Sequence, residues 1–299
     1  MKLLLVVNPV SGGVDKDPFL KDAKALCDNY GIENQVFKTT GTDDAEALKV
    51  ILNTFKPDKV AAVGGDGTLL FLAIVLQHSS IPVGIIPMGS ANGMATELEV
   101  SKQPIEALKE LIMSEIVGDL DLLVVNNEHY CIHLGDVGIN AKIVKGYEND
   151  HKRGMSTYAK YFIDELGKVT AFPMTVECNE KTYDAEGVML CICNARKYGT
   201  GIPINLEGNP MDGVFEIVLI KEINGSMLIN AGLSSFNENF INSQHQTSVQ
   251  TNQAKITFKT PQLLQLDGEV IGEFLSFDVR IIKGAVKLIT TQKNPYLER

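Results

Sequence analysis

The stretch Lys59-Val60-Ala61-Ala62-Val63-Gly64-Gly65-Asp66-Gly67-Thr68 joins a strongly apolar run, Lys59 to Val63, to an apolar segment, Leu69 to Gln77, that reads as a helix. A strand entering a helix through three glycines is the elementary joint of an α/β fold. Glycine reaches positive φ without a Cβ clash, lets a ligand approach the main chain, and leaves N–H groups open at the positive end of the following helix. One carboxylate, Asp66, stands among these donors. It would repel a bare phosphate, so it points either to a metal-bridged phosphate or to a proton to be removed. A tight turn with Asp66 as the helix N-cap is the plain alternative.

Outward from this joint, the first 120 residues alternate apolar strands with amphipathic helices. The expected strands are Leu3 to Val7, Asn34 to Phe37, Lys59 to Val63 and Pro82 to Ile86. The expected helices are Pro18 to Tyr30, Asp43 to Phe55, Leu69 to Gln77, Ala91 to Leu98 and Pro104 to Met113. This pattern predicts a parallel sheet with helices on both faces. In such sheets, ligands bind at the carboxyl edge of the strands. The segments Asn8 to Gly13, Gly64 to Gly67 and Pro87 to Gly93 all follow strands, so all three lie at that edge.

Beyond about residue 118 the texture changes to short alternating runs: Leu120 to Val125, His129 to Leu134, Met174 to Cys178, Val188 to Cys193, Val214 to Ile220, Ala254 to Thr260 and Leu275 to Ile282. These read as antiparallel strands of a second, mostly β domain, with helical stretches near Ser156 to Leu166 and Met227 to Phe240. The expected division is 1–120 and 121–285, and the terminal segment 286–299 could return to the first domain.

Composition narrows the function. The chain has 299 residues, 27 Lys plus Arg against 37 Asp plus Glu, and a formal charge of −10. With no basic block, nucleic acid is not expected as a partner. The run Leu3 to Val7 is too short for a signal peptide core, and no apolar run approaches the ~18 residues of a membrane span. A soluble, cytoplasmic protein is expected. Five scattered cysteines make no disulfide framework, and Cys191 and Cys193 read as small core hydrophobes rather than a metal pair. The histidines show no zinc-ligand spacing. Gly-x-x-x-x-Gly-Lys-Ser/Thr is absent, and Gly-x-Gly-x-x-Gly is missing from the first βα turn, so neither a P-loop nor a dinucleotide fingerprint is present. Far along the chain, Asp267-Gly268-Glu269 and Asp212-Gly213 read as β-turns.

Taken together and in order, Asn8-Pro9-x-Ser11-Gly12, Thr39-Thr40-Gly41-x-x-Asp44-Ala45, Gly64-Gly65-Asp66-Gly67-Thr68, Pro87-x-Gly89-Ser90-x-Asn92, Arg153-Gly154-x-x-x-Tyr158, Asp212-Gly213 and Asp267-Gly268-Glu269 resemble the diacylglycerol kinase catalytic-domain family, which includes bacterial soluble lipid kinases and sphingosine kinases. The resemblance spans almost the whole chain. It implies a three-layer α/β nucleotide-binding domain, a C-terminal β-sandwich and an active site in the cleft between them. It implies an ATP and magnesium-dependent kinase of phospholipid metabolism, acting on a hydroxyl of diacylglycerol or a sphingoid-base-type lipid at a membrane surface. A homodimer is left open.

Position by position, the resemblance assigns Asn8, Pro9, Val10, Ser11, Gly12, Thr39, Gly64, Gly65, Asp66, Gly67, Thr68, Ser90 and Asn92 to ATP. It assigns Asp212, with backbone oxygens of Asn209 and Val214, to magnesium, and Glu269 to the general base. Asp66 and Asp267 are the other available carboxylates, and in the sphingosine-kinase branch the position of Asp66 is itself a base candidate. Leu70, Phe71, Gly93, Asn140 and Gly199-Thr200-Gly201 depart from the bacterial pattern by removing polar, acidic or glycine positions. Two rivals remain: a NAD kinase-like enzyme, which shares Gly-Gly-Asp-Gly-Thr followed by Leu-Leu, and a nucleotide-binding regulator without catalysis.

Overall fold

The computed structural model describes residues 1–138, 141–142, 170–197, 204–222 and 246–297. The helices expected at Ser156 to Leu166 and Met227 to Phe240 lie outside these residues, as do Asn140, Arg153, Tyr158 and the segment Gly199 to Gly201. The chain forms two compact units, one of Met1–Asp121 with Lys283–Arg299, the other of Leu122–Ile282.

The first unit begins with β1 (Lys2–Val7), α1 (Asp17–Asn29), β2 (Glu33–Lys38), α2 (Asp44–Phe55), β3 (Lys59–Gly64), α3 (Asp66–Val75), β4 (Val83–Pro87), α4 (Gly93–Glu97) and α5 (Pro104–Met113). Strands β2, β1, β3 and β4 lie side by side and all parallel. Residues of each strand alternate between the two faces of the sheet. Leu3, Leu5, Val7, Ala61 and Val63 pack with Phe19, Ala23 and Cys27 of α1 and Leu108 and Leu111 of α5. Their alternates Leu4, Val6, Val60 and Ala62 are equally buried on the opposite face. A sheet buried on both faces needs the near-continuous apolar strands that the sequence provides. Helix α3 starts at Asp66 rather than Leu69, because Gly65 O accepts the N–H groups of both Thr68 and Leu69 and winds the glycine turn itself into the first helical turn.

The second unit is antiparallel. Strand β5 (Val117–Val125) leads into it, followed by β6 (His129–Cys131), β7 (Leu134–Gly138), β8 (Phe172–Cys178), β9 (Lys181–Gly187), β10 (Met189–Cys193), β11 (Phe215–Ile220), β12 (Gln246–Thr251), β13 (Gln253–Leu266) and β14 (Glu269–Ile289). One ladder runs β12-β11-β10-β7-β13, and β13 also pairs with β8. Its first half, Ala254 to Phe258, faces β8, while its second half, Leu264 to Leu266, faces β7, and its pairing with β14 breaks register between Thr257 and Gln262 and again after Leu264. Such irregularities let one strand serve two layers. The layers enclose Leu123, Leu190, Ile192, Phe215, Ile256, Leu264 and Phe277. All five cysteines are buried and free. The far end of β14 belongs to the first unit, where Leu288 pairs in parallel with Val83 of β4. No helix among the described residues is long and apolar enough to cross a membrane.

Candidate active site

In the first unit, three strand-following loops meet backbone to backbone. A Cβ on Gly12 would stand 2.7 Å from Met88 O, and one on Gly89 would stand 2.3 Å from Gly65 Cα, so only glycine permits these approaches. Gly12 also has φ of 66°, in the left-handed region. Ser11 Oγ borders the same space, 3.6 Å from where a Gly65 Cβ would be. Asn8 secures the first loop: its N–H donates to Val63 O at 3.1 Å and its Oδ1 accepts from Val10 N at 3.2 Å. Thr39, just past β2, donates from its N–H to Val7 O at 2.9 Å, beside the start of that loop. Thr68 Oγ1 is buried and has no hydrogen-bond partner, an orphaned donor in the turn. Pro9, Val10 and Ser90 are exposed.

Two side chains in this cradle are already committed. Asn92, at φ of 57°, accepts from Gly89 N at 2.8 Å and donates to Gly89 O at 2.9 Å, closing the third loop on itself. Asp66 accepts from Gly93 N at 2.7 Å and from Met94 N at 2.9 Å, one bond to each carboxylate oxygen. It therefore anchors the first turn of α4 and ties the second loop to the third. A carboxylate so engaged holds acceptor capacity but no oxygen free of a donor.

In the second unit, Asp267 and Gly268 have φ of 50° and 89°, and Leu266 pairs with Glu269 across them. Positive φ at both central residues is the two-residue hairpin turn that Asp-Gly favours. Asp267 is locked in place by the link between β6 and β7: it accepts from Ile132 N at 2.8 Å, His133 N at 2.9 Å, Leu134 N at 3.2 Å and the Cys131 thiol at 3.2 Å. Burial pushes its carboxyl above the usual carboxylate range against the opposing pull of these donors. Burial and the adjacent Asp267 push the Cys131 thiol well up. Glu269, the first residue of β14, is exposed, and its carboxylate has no partner among the described residues. Of the three sequence-predicted catalytic carboxylates, Asp66 and Asp267 hold backbone, and Glu269 alone has no partner among the described residues.

The loop before β11 carries the predicted metal residues. Asp212 Oδ1 accepts from Val214 N at 3.1 Å, and Asn209 Oδ1 accepts from Met211 N at 3.0 Å. One carboxylate with nearby carbonyls is an all-oxygen donor set, which suits a hard cation that keeps several waters. No group of three His, Cys, Asp or Glu residues able to hold a metal is present among the described residues. Close by, Glu216 is buried and accepts from Asn205 Nδ2 at 2.5 Å and Gln250 Nε2 at 3.0 Å. Burial raises its carboxyl despite these donors, and Asp212 and Glu207 push it the same way. Sequence reading passed over Glu216, although a lone carboxylate inside the apolar run Val214 to Ile220 is itself a signal. It also passed over Lys16, buried beneath the first loop.

Known proteins are similar to this chain in sequence and in fold. The family described as "Diacylglycerol kinase catalytic domain" matches residues 2–125, and "YegS C-terminal NAD kinase beta sandwich-like domain" matches residues 136–290. A protein of Stenotrophomonas maltophilia (strain K279a) named "Probable lipid kinase YegS-like" is 26% identical over 95% of this chain and 94% of its own length. The "Diacylglycerol kinase" of Bacillus subtilis (strain 168) is 22% identical over 91% of this chain and 92% of its own. The fold is also that of a crystal structure titled as a diacylglycerol kinase from Bacillus anthracis str. Sterne, with a TM-score of 0.73, 20% identity and 97% of each chain covered. The chain belongs to the lipid kinase family that joins a diacylglycerol kinase catalytic domain to a YegS-type C-terminal β-sandwich, and it is an enzyme of the kinase class.

Proposed function

We propose that the protein transfers the γ-phosphate of ATP to a hydroxyl of diacylglycerol or a sphingoid-base-type lipid, with the nucleotide held by the first unit and the acceptor proton taken by Glu269. The observation that carries this reading is the three-loop glycine cradle of Ser11-Gly12, Gly65 and Gly89, with the unpartnered Thr68 hydroxyl in its turn. Close-approach glycines at the carboxyl edge of a parallel sheet suit a ligand rich in phosphate oxygens.

Phosphoryl transfer asks the protein mainly to position groups and balance charge. Asn8, Pro9, Val10, Ser11, Gly12, Thr39, Gly64 to Thr68, Ser90 and Asn92 are the residues proposed to bind and orient ATP. Among them Asn92 acts by shaping the third loop and Asp66 by fixing α4 against the turn. Asp212, with the backbone oxygens of Asn209 and Val214, would hold magnesium, whose chemistry is to spread the charge of the phosphates. Glu269 is free to accept the hydroxyl proton. Asp267 holds the hairpin turn from which Glu269 springs, a supporting role that its three amide bonds make concrete.

A panel of lipids incubated with ATP, magnesium and protein in mixed micelles, with NAD in a parallel reaction, tests this reading. A phosphorylated lipid identified by mass spectrometry is the expected product. Phosphorylation of NAD in place of every lipid would move the function to dinucleotide chemistry. Tight ATP binding with no turnover would make the protein a regulator.

A further inference from the structure

Lys16 is only 3% exposed, yet it forms no ion pair with any described residue. Its ammonium donates to Ser11 O at 2.5 Å and Val14 O at 2.8 Å, both in the loop after β1. The adjacent Asp15 attracts it, but Asp15 Oδ1 is turned to the start of α1, where it accepts from Asp17 N at 2.9 Å. A charge withdrawn from water whose only hydrogen-bond acceptors among the described residues are carbonyl oxygens is costly. Natural folds keep such a cation where another charge completes it.

The bond to Ser11 O shows where that charge would act. The Ser11–Gly12 peptide is trans, so its carbonyl and N–H lie in one plane and point in opposite directions. With the ammonium on the carbonyl side, the N–H is directed away from Lys16, and it finds no acceptor among the described residues. Gly12 itself abuts Met88 O and Gly89, in the cradle already described. A cation on the carbonyl end of a peptide withdraws electron density and strengthens the N–H at the other end as a donor.

We propose that Lys16 is a positioning residue for polyphosphate, the buried cation that polarises the Ser11–Gly12 peptide and supplies the positive charge the glycine cradle lacks; this rests on the reading of the first unit as the nucleotide-holding part. The ligand chemistry is a chain of phosphates rather than a base or a sugar. A lysine that merely stapled the loop would influence every part of the nucleotide alike, whereas a phosphate-directed charge discriminates between ATP and adenosine.

Calorimetric titration of ATP, inorganic tripolyphosphate and adenosine into the full-length protein and its Lys16→Met and Lys16→Arg variants tests this. Lys16→Met should bind ATP and tripolyphosphate at least about tenfold more weakly while adenosine stays within about twofold, a fall corresponding to the loss of one charge-assisted contact. Lys16→Arg keeps the charge and should hold ATP within about fivefold, which also serves if the methionine variant does not fold. Equal weakening of ATP and adenosine, no change in Lys16→Met, or a loss of tenfold or more in a folded Lys16→Arg would each overturn the assignment while leaving the kinase reading intact. Wild-type protein that binds neither ATP nor tripolyphosphate would overturn that reading as well.

Discussion

Glu269, Asp66 and Asp267 are chemically similar groups that the fold puts to different uses. Asp66 and Asp267 each receive two or more backbone donors, while Glu269 is exposed and has no partner among the described residues. Glu269→Gln keeps the shape and removes the base, so turnover should fall by about 10²- to 10⁴-fold with ATP affinity largely retained, as measured by steady-state kinetics beside titration. Unchanged turnover would return the base role to Asp66. Glu216 offers a test by pH. Burial raises its carboxyl in the folded protein, so the folded state holds this proton more tightly than the unfolded chain. Its contribution to stability is complete below the unfolded value near 4.5 and is lost as pH rises through the folded value. Urea unfolding from pH 4 to 7 should therefore show Glu216→Gln gaining on the wild type as pH rises; parallel curves would contradict this. The sequence pointed to Glu269 through its resemblance, but the capping of α4 by Asp66 spans 27 residues of chain and has no local signature. Lys16, flanked by Asp15 and Asp17, has the look of a solvated surface charge, and only the folded loop reveals its burial.

At the scale of elements, the glycine loops are held by backbone rather than by side chains that can yield. Gly89→Ala would set a Cβ 2.7 Å from Gly65 N as well as against Gly65 Cα, neither of which can rotate away. Such overpacking should cost about 1 to 3 kcal/mol of stability. ATP affinity should fall further than that loss of fold explains, as read by denaturant unfolding beside titration in folded protein. Native ATP affinity in Gly89→Ala would show that the loop contact is not part of the binding site. Strands β1, β3 and β4 and helices α1 and α5 of the first unit were readable because each carries an apolar run or period matched to its burial on the sheet. Other elements were not. Strand β9 is an exposed edge with the polar sequence Lys-Thr-Tyr-Asp-Ala-Glu-Gly, and β12 reads Gln-Thr-Ser-Val-Gln-Thr, so neither has an apolar run to announce it. Strands β13 and β14 extend well beyond the expected Ala254 to Thr260 and Leu275 to Ile282, since the pairing across Asp267-Gly268 carries polar residues into the ladder.

For the whole molecule, the change from βα alternation to short antiparallel runs was visible in the sequence because it follows directly from which faces are buried. The chain crosses between its units twice, after Asp121 and after Ile282, and the second crossing lies within the single long strand β14. The formal charge of −10 sets a further condition on the proposed activity: an anionic membrane surface repels the molecule as a whole, so lipid must be reached through a local patch. Activity toward diacylglycerol in neutral mixed micelles should accordingly exceed that in anionic ones, a comparison made directly by initial rates; the reverse order would place an attractive anionic-lipid site on the protein. The most direct measurement follows label from ATP, radioactive at the γ-phosphate, into micellar diacylglycerol or a sphingoid base, with magnesium present and with wild-type and Glu269→Gln protein side by side. Labelled lipid from the wild type, nearly absent with Glu269→Gln, is the expected result. Wild-type protein that binds ATP yet labels no lipid would contradict the proposed reaction.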